Sequence, residues 1–168
     1  RKSATIGGNI LCENRCIFYN QSEWWRYAVG YCLKCEGNIC IATGSRKHCY
    51  SEFVSDTAPV LISMDACVEI ADKDGDYTTR LEELYTGDGV RPRNLTGAAV
   101  IRSVLLPLRR EFRTVFSKLR QRQSLDFTSL TTAITTDQTG KIKIVLGGVD
   151  PRPVVVEGTN GSDREEMI

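Results

Sequence analysis

The chain has 168 residues, of which 41% are hydrophobic and 26% charged. That suits one ordinary domain, or one domain and part of another, and excludes disordered and collagen-like classes. Twenty-two Lys and Arg against 21 Asp and Glu leave a net charge of +1, so there is no global basic field for nucleic acid.

In chain order, residues 1–11 form a short apolar run around Gly7-Gly8. In Ala4-Thr5-Ile6-Gly7-Gly8-Asn9 the glycines let backbone N–H groups approach a phosphate, and Thr and Asn add hydrogen bonds. A glycine pair alone more often marks a turn. Residues 12–54 carry six of the seven cysteines and Phe18, Tyr19, Trp24, Trp25, Tyr27, Tyr31, Tyr50 and Phe53. With almost no periodicity, this zone reads as a long loop with its own small core, and such loops are usually functional. Ser55-Asp56 offers an N-cap and Pro59 sits in the first turn of an apolar helix running to about Ala66. Residues 68–71 and 77–80 read as strands flanking an Asp/Gly turn at 72–76. That turn is a poor calcium loop, because Tyr77 stands where an EF-hand needs glycine. Residues 81–85 form a short helical turn and 98–106 a buried strand.

The composition shifts at Pro107. Residues 109–122 carry six positive charges and one negative, interleaved with Phe112, Val115, Phe116 and Leu119, which reads as one solvated strand face. Two strands, 125–134 and 141–149, follow around the turn Asp137-Gln138-Thr139-Gly140. A domain boundary is placed near 107. No apolar run approaches the ~20 residues of a membrane-spanning helix. The ends, Arg1-Lys2-Ser3 and Glu165-Glu166-Met167-Ile168, read as those of a fragment without targeting information.

The cysteines permit more than one chemistry. Cys12-x3-Cys16 with Cys32-x2-Cys35 imitates a zinc ribbon, the first choice from spacing alone. Cys16, Cys32, Cys40 and Cys49, with gaps of 16, 8 and 9, could equally hold an iron–sulfur cluster, whose ligands need only converge in space. Cys67 reads as a small buried hydrophobe at the end of the apolar helix. Sequons at Asn20, Asn94 and Asn160 favour secretion, but the odd cysteine count and the lack of a signal peptide rank metal ligands ahead of disulfides. His48 is the only histidine, and no nucleophile motif pairs with it.

Together these segments resemble the flavin subunit of the xanthine oxidase family of molybdenum hydroxylases. Ala4-Thr5-Ile6-Gly7-Gly8-Asn9 is similar to the family's second FAD-binding loop, and Ser55-Asp56-Thr57-Ala58-Pro59 to the helix start whose Asp contacts FAD. Phe116-Ser117-Lys118-Leu119-Arg120 resembles the segment that brings a lysine to the flavin. Lys143-Ile144-Val145-Leu146-Gly147-Gly148-Val149 with Pro151-Arg152-Pro153 resembles the start of the smaller C-terminal domain. Most members pass almost directly from the glycine loop to the Asp helix. The intervening residues, with Cys16-Ile17-Phe18-Tyr19-Asn20-Gln21-Ser22-Glu23-Trp24-Trp25-Arg26, resemble the cluster-bearing insertion of the 4-hydroxybenzoyl-CoA reductase branch.

The resemblance implies an α+β fold, the second subdomain of a FAD-binding domain of the PCMH/vanillyl-alcohol-oxidase type. It would span 1–107, with a 4Fe–4S insertion at about 12–54, and be followed by part of a small C-terminal α/β domain at 108–168. The family's first FAD subdomain would lie before Arg1. Implied FAD contacts are Thr5, Ile6, Gly7, Gly8, Asn9, Asp56, Lys118 and, where a leucine is usual, Ile101. Implied cluster ligands are Cys16, Cys32, Cys40 and Cys49, with Cys12 and Cys35 as non-ligands. The implied role is an oxidoreductase electron-transfer subunit with no catalytic residue of its own. Its partners would be molybdenum-cofactor and 2Fe–2S subunits and a ferredoxin-type donor, in an anaerobic aromatic-degrading cytoplasm. Trp24, Trp25, Tyr27 and Tyr31 are expected either to shield the cluster from water or simply to hold the loop together. A related hydroxylase with another substrate, or a zinc-stabilised binding module, are the alternatives.

Overall fold

The computed structural model describes residues 4–108, 111–124 and 126–159. Expectations for Arg1–Ser3, Arg109, Arg110, Leu125, the sequon at Asn160 and the C-terminal residues lie outside the described residues.

The glycine segment is a helix and not a loop. Thr5 caps α1 (Ile6–Ile10), its hydroxyl accepting the Gly8 N–H at 3.0 Å. Five residues later the chain enters a neck, where Arg15 and Glu52 exchange two backbone hydrogen bonds of 2.9 and 2.8 Å. Buried Asn14 braces it, its amide donating to the Ser51 carbonyl at 2.9 Å and to the Pro151 carbonyl at 2.8 Å. The cysteine-rich segment loops out between the two sides of this neck. It contains α2 (Glu23–Val29), capped by Ser22 and stopped at Gly30 with φ +86°, and a 3-10 turn at Leu33–Cys35.

Helix α3 (Ala58–Ser63) is shorter than the expected run to Ala66, because the chain turns at Asp65 (φ +58°) into β1. Cys67 therefore opens β1 (Cys67–Asp72) instead of closing a helix, and it is half-buried. The hairpin of β1 with β2 (Gly75–Arg80) forms as expected, with the Asp72 carboxylate accepting the Asp74 N–H at 2.8 Å in the turn. A 3-10 turn at Leu81–Leu84 follows. β3 (Val100–Leu105) pairs antiparallel with the other side of β1, giving the order β2-β1-β3. It is an edge strand with Val100 and Leu105 exposed, so the expectation of a buried strand is corrected.

The second sheet is an antiparallel meander of β4 (Phe112–Leu119), β5 (Leu130–Asp137), β6 (Lys141–Gly147) and β7 (Val154–Thr159). β4 carries the basic run as a half-solvated strand, as expected. β5 starts later than the expected 125, because Asp126 is occupied in a loop: its carboxylate accepts from Arg122, and its carbonyl accepts from Lys118. β7 had no counterpart in the sequence reading.

One core joins these parts. Ile10, Phe53, Ile62, Val68, Ile70, Leu81, Leu84 and Tyr85 pack with Val145 of β6. The Phe53 and Tyr85 rings meet edge to face at 4.8 Å, and the Tyr85 hydroxyl donates to the Ile10 carbonyl at 3.1 Å. Helix α3 lies against β5 and β6, with Ser63 and Thr135 hydroxyls 2.7 Å apart. Among the described residues no helix is long and apolar enough to cross a membrane.

Candidate functional site

The N-terminus of α3 and the end of β4 meet at an ion pair. The Lys118 ammonium lies 2.7 Å from one Asp56 carboxylate oxygen and 3.0 Å from the other, and also donates to the Asp126 carbonyl at 2.9 Å. The side chains are 13% and 24% exposed, so the pair is reachable from outside but partly desolvated.

Asn9 holds the backbone beneath it. Its side-chain oxygen accepts the backbone N–H groups of Asp56 (3.1 Å) and Thr57 (2.9 Å), and the hydroxyls of Ser55 (2.9 Å) and Thr57 (2.7 Å). Asn9 is an expected FAD contact; its side-chain oxygen positions Asp56, and the residue also lies on the wall of the polar cavity described next.

Two cavities share Asp56. An apolar one of about 350 Å³ is walled by Ile6, Thr57, Val60, Leu61 and Phe116. The second, of about 400 Å³, has Asn9, Cys12, Lys118, Arg122, Asp126 and Phe127 on its wall. The structure thus brings Ile6, Asn9, Asp56 and Lys118 together. A β-carbon added at Gly7 would meet nothing within 4 Å, leaving that backbone open to a ligand, whereas one at Gly8 would lie 3.0 Å from the Thr5 hydroxyl. Gly8 and Thr5 therefore answer first to the helix cap. Ile101 is half-buried on β3 against the core and is on the wall of neither cavity.

The shape and donor chemistry suit a large cofactor with both an apolar ring and anionic or hydrogen-bonding groups. Arg122, Asp126 and Phe127 were missed in the sequence. The hydrogen bond from Arg122 holds the Asp126 carboxyl below its usual range, and the Arg15 guanidinium lies 4.5 Å from the centre of the Phe127 ring. The available signal was the opposite charges four residues apart in a polar loop.

Across the neck, Cys16, Cys32, Cys40 and Cys49 line a single narrow cavity with Phe18, Tyr19, Leu33, Lys34, Ile41 and Ala42. Cys32, Cys40 and Cys49 are buried and Cys16 is half-buried. Cys12 is on the wall of the Asp56–Lys118 cavity instead, and Cys35 lines neither. Burial pushes the Cys40 thiol up, but hydrogen bonds from the Thr43 side chain and from the Tyr50, Thr43 and Ala42 backbone outweigh it and hold it below the usual value. Burial and the neighbouring Cys35 thiol push Cys32 up.

Four thiols around one cavity are the right donor set for an iron–sulfur cluster. Among the described residues, however, no group of three or more His, Cys, Asp or Glu side chains is arranged to hold a metal ion as it stands. Of the two expectations for Trp24, Trp25, Tyr27 and Tyr31, shielding finds no support: Phe18 and Tyr19 line this place, while Trp24 and Tyr27 are 78% and 72% exposed.

Residues 1–109 match the family described as "FAD binding domain in molybdopterin dehydrogenase". The aldehyde oxidoreductase FAD-binding subunit PaoB of Escherichia coli strain K12 is 27% identical over 95% of this chain, which spans 53% of that protein's length. The fold is similar to that of carbon monoxide dehydrogenase from Hydrogenophaga pseudoflava lacking the Mo-pyranopterin moiety (TM-score 0.54, 17% identity, 67% of this chain and 42% of that one). It is also similar to quinoline 2-oxidoreductase from Pseudomonas putida 86 (TM-score 0.50, 18% identity, 65% and 40%).

Proposed function

The chain belongs to the FAD-binding-domain family of molybdopterin dehydrogenases, and from that premise we propose that it is the flavin-holding part of an oxidoreductase of the molybdenum hydroxylase type. The observation that carries this reading is the ion pair of Asp56 and Lys118 at the junction of an apolar and a polar cavity. FAD, when bound, supplies exchange between one- and two-electron carriers. The chain's own work is to bind and orient. Lys118 offers a positive donor to an anionic or carbonyl oxygen, Asp56 fixes that ammonium, and Asn9 fixes Asp56. Ile6 and Phe116 supply apolar wall for a ring system and exclude water from it.

The finer reading is the flavin subunit of a 4-hydroxybenzoyl-CoA reductase, with residues 108–168 as the start of its C-terminal domain. In it Cys16, Cys32, Cys40 and Cys49 hold a 4Fe–4S cluster, and molybdenum-cofactor and 2Fe–2S subunits and a ferredoxin-type donor complete a cytoplasmic complex. The four thiols on one cavity support it. The zinc module on Cys12, Cys16, Cys32 and Cys35 is disfavoured by Cys12 lying in the other cavity.

The test is anaerobic purification of the complete protein with its co-purifying subunits, followed by flavin and iron analysis. Lys118→Met should weaken FAD binding about tenfold or more, the ~1.4 kcal/mol or more of a charge-assisted hydrogen bond, in an apoprotein that still unfolds cooperatively. Full flavin occupancy in Lys118→Met would overturn the site assignment. Iron with matching acid-labile sulfide supports the cluster, and zinc in its place removes it.

A further inference from the structure

The 3-10 turn at Leu33–Cys35 closes Cys32 and Cys35 on each other. The Cys35 and Gly37 N–H groups both donate to the Cys32 carbonyl at 2.9 Å, and the two sulfurs stand 3.5 Å apart. Lys34, between them, is anchored to the neck: its ammonium donates to the Asn14 carbonyl and pairs with Glu13, both at 3.2 Å. Glu36 is left-handed with φ +65°, and a β-carbon at Gly37 would lie 1.7 Å from the Tyr31 carbonyl oxygen. The turn is thus held from both sides.

A disulfide needs sulfurs ~2.05 Å apart, so side-chain rotation over about 1.5 Å would close the remaining gap. The two thiols differ in access and in place. Cys35 is half-buried and off the four-thiol cavity, whereas Cys32 is buried and on its wall.

We propose that Cys32 and Cys35 are a reversible redox site, joined as a disulfide by exchange with a small-molecule disulfide such as oxidised glutathione, and that closing it withdraws Cys32 from the cysteine cavity. The second half rests on the reading of Cys32 as a cluster ligand, and the first does not. The more accessible Cys35 thiolate attacks one sulfur of the small disulfide, forming a mixed disulfide and releasing one small thiol. The Cys32 thiolate then attacks the Cys35 sulfur, forming the internal bond and releasing the second. Two electrons pass from the protein thiols to the reagent, and the two thiol protons end on the released small thiols.

Trypsin makes the bond directly readable, because Lys34 lies between the two cysteines. Cleavage after Arg26, Lys34 and Arg46 gives segments 27–34 and 35–46, which a bond from Cys32 to either Cys35 or Cys40 keeps together, so the two single Ser variants tell which one forms. The complete protein, stripped of metal anaerobically, is treated with oxidised glutathione, alkylated, denatured, digested and weighed. The linked pair should form, disappear with dithiothreitol, be lost in Cys35→Ser and persist in Cys40→Ser. Absence of the pair from the oxidised protein, or its survival in Cys35→Ser, overturns the site. Iron loading should slow linkage at least tenfold, and equal rates in loaded and stripped protein overturn the coupling to the cavity. Failure of the cluster reading shows separately, as protein purified anaerobically without iron that still forms the linked pair.

Discussion

Asn9 shows how one side chain can position a site from beneath. One amide oxygen gathers two backbone N–H groups and two hydroxyls from Ser55, Asp56 and Thr57. Removing it leaves donors at a part-buried helix entry without their acceptor, which costs about 1–3 kcal/mol. Asn9→Ala should therefore lower stability in urea titrations by about that amount, and weaken FAD binding through displacement of Asp56. An Asn9→Ala protein with wild-type stability but lost flavin would restore a direct ligand role. The sequence marked Asn9 by its place after two glycines but held no sign of this second duty. Its partners lie 46 to 48 positions away, and only the folded chain brings them near.

Among elements, the turn carrying Cys32 is the least tolerant of side-chain volume. Gly37→Ala would drive a methyl into the Tyr31 carbonyl, so the turn must open and the cysteine cavity with it. On the proposed cluster reading, the expected result is loss of iron with FAD content retained, since α1, α3 and β4 lie across the neck. Metal analysis and flavin absorbance on the same preparation check it. Legibility in sequence followed burial. Helix α3 and β1 show themselves because their apolar residues repeat with the period of the face they bury, while β2, exposed along most of its length, is marked by the Asp/Gly turn before it. Helix α2 has no buried residue, so no period exists to be read, and only Ser22 and Gly30 bracket it as cap and stop. β7 follows directly on Pro151 and Pro153, and its run Val154-Val155-Val156 is too short to show a period. The α+β class was legible through resemblance, which also named Asp56 and Lys118 as candidates; their pairing and the core shared across position 107 were not.

At the scale of the whole molecule, Lys143 ties the four-stranded sheet to the turn after α3 and to the 3-10 turn. This lysine of β6 has its side chain only 5% exposed, with Asp65 at 2.9 Å, Glu157 at 3.1 Å and Glu82 at 3.8 Å. These carboxylates come from the end of α3, the 3-10 turn and β7. Stripping a partner from a fully buried pair costs about 3–5 kcal/mol. Here the carboxylates keep contact with water, so Lys143→Met should cost less, about 1–3 kcal/mol in urea unfolding at neutral pH. Hydrogen bonds from Lys141 and Lys143 hold the Glu157 carboxyl below its usual value despite its partial burial. Its contribution is present above the unfolded glutamate value near ~4.3 and is lost as pH falls through the depressed folded one. Unfolding free energy should fall across that acidic window, and fall less steeply in Lys143→Met. Parallel slopes would mean that this group does not couple to the lysine.

The neck has a consequence for ancestry and for engineering. Arg15 and Glu52 form the mutually hydrogen-bonded pair that a two-residue hairpin turn joins. The segment between them can therefore be gained or lost as a cassette, with the chain on either side keeping its path, and lengthening such a loop adds little closure entropy. Replacing residues 16–51 by Asn-Gly should give a smaller protein that still folds cooperatively and keeps the Asn9–Asp56–Lys118 arrangement. Asn14 loses the Ser51 carbonyl in that protein but keeps Pro151. Circular dichroism and flavin titration would register the outcome, and collapse of the excised protein would show that the cassette has become part of the scaffold it was set into.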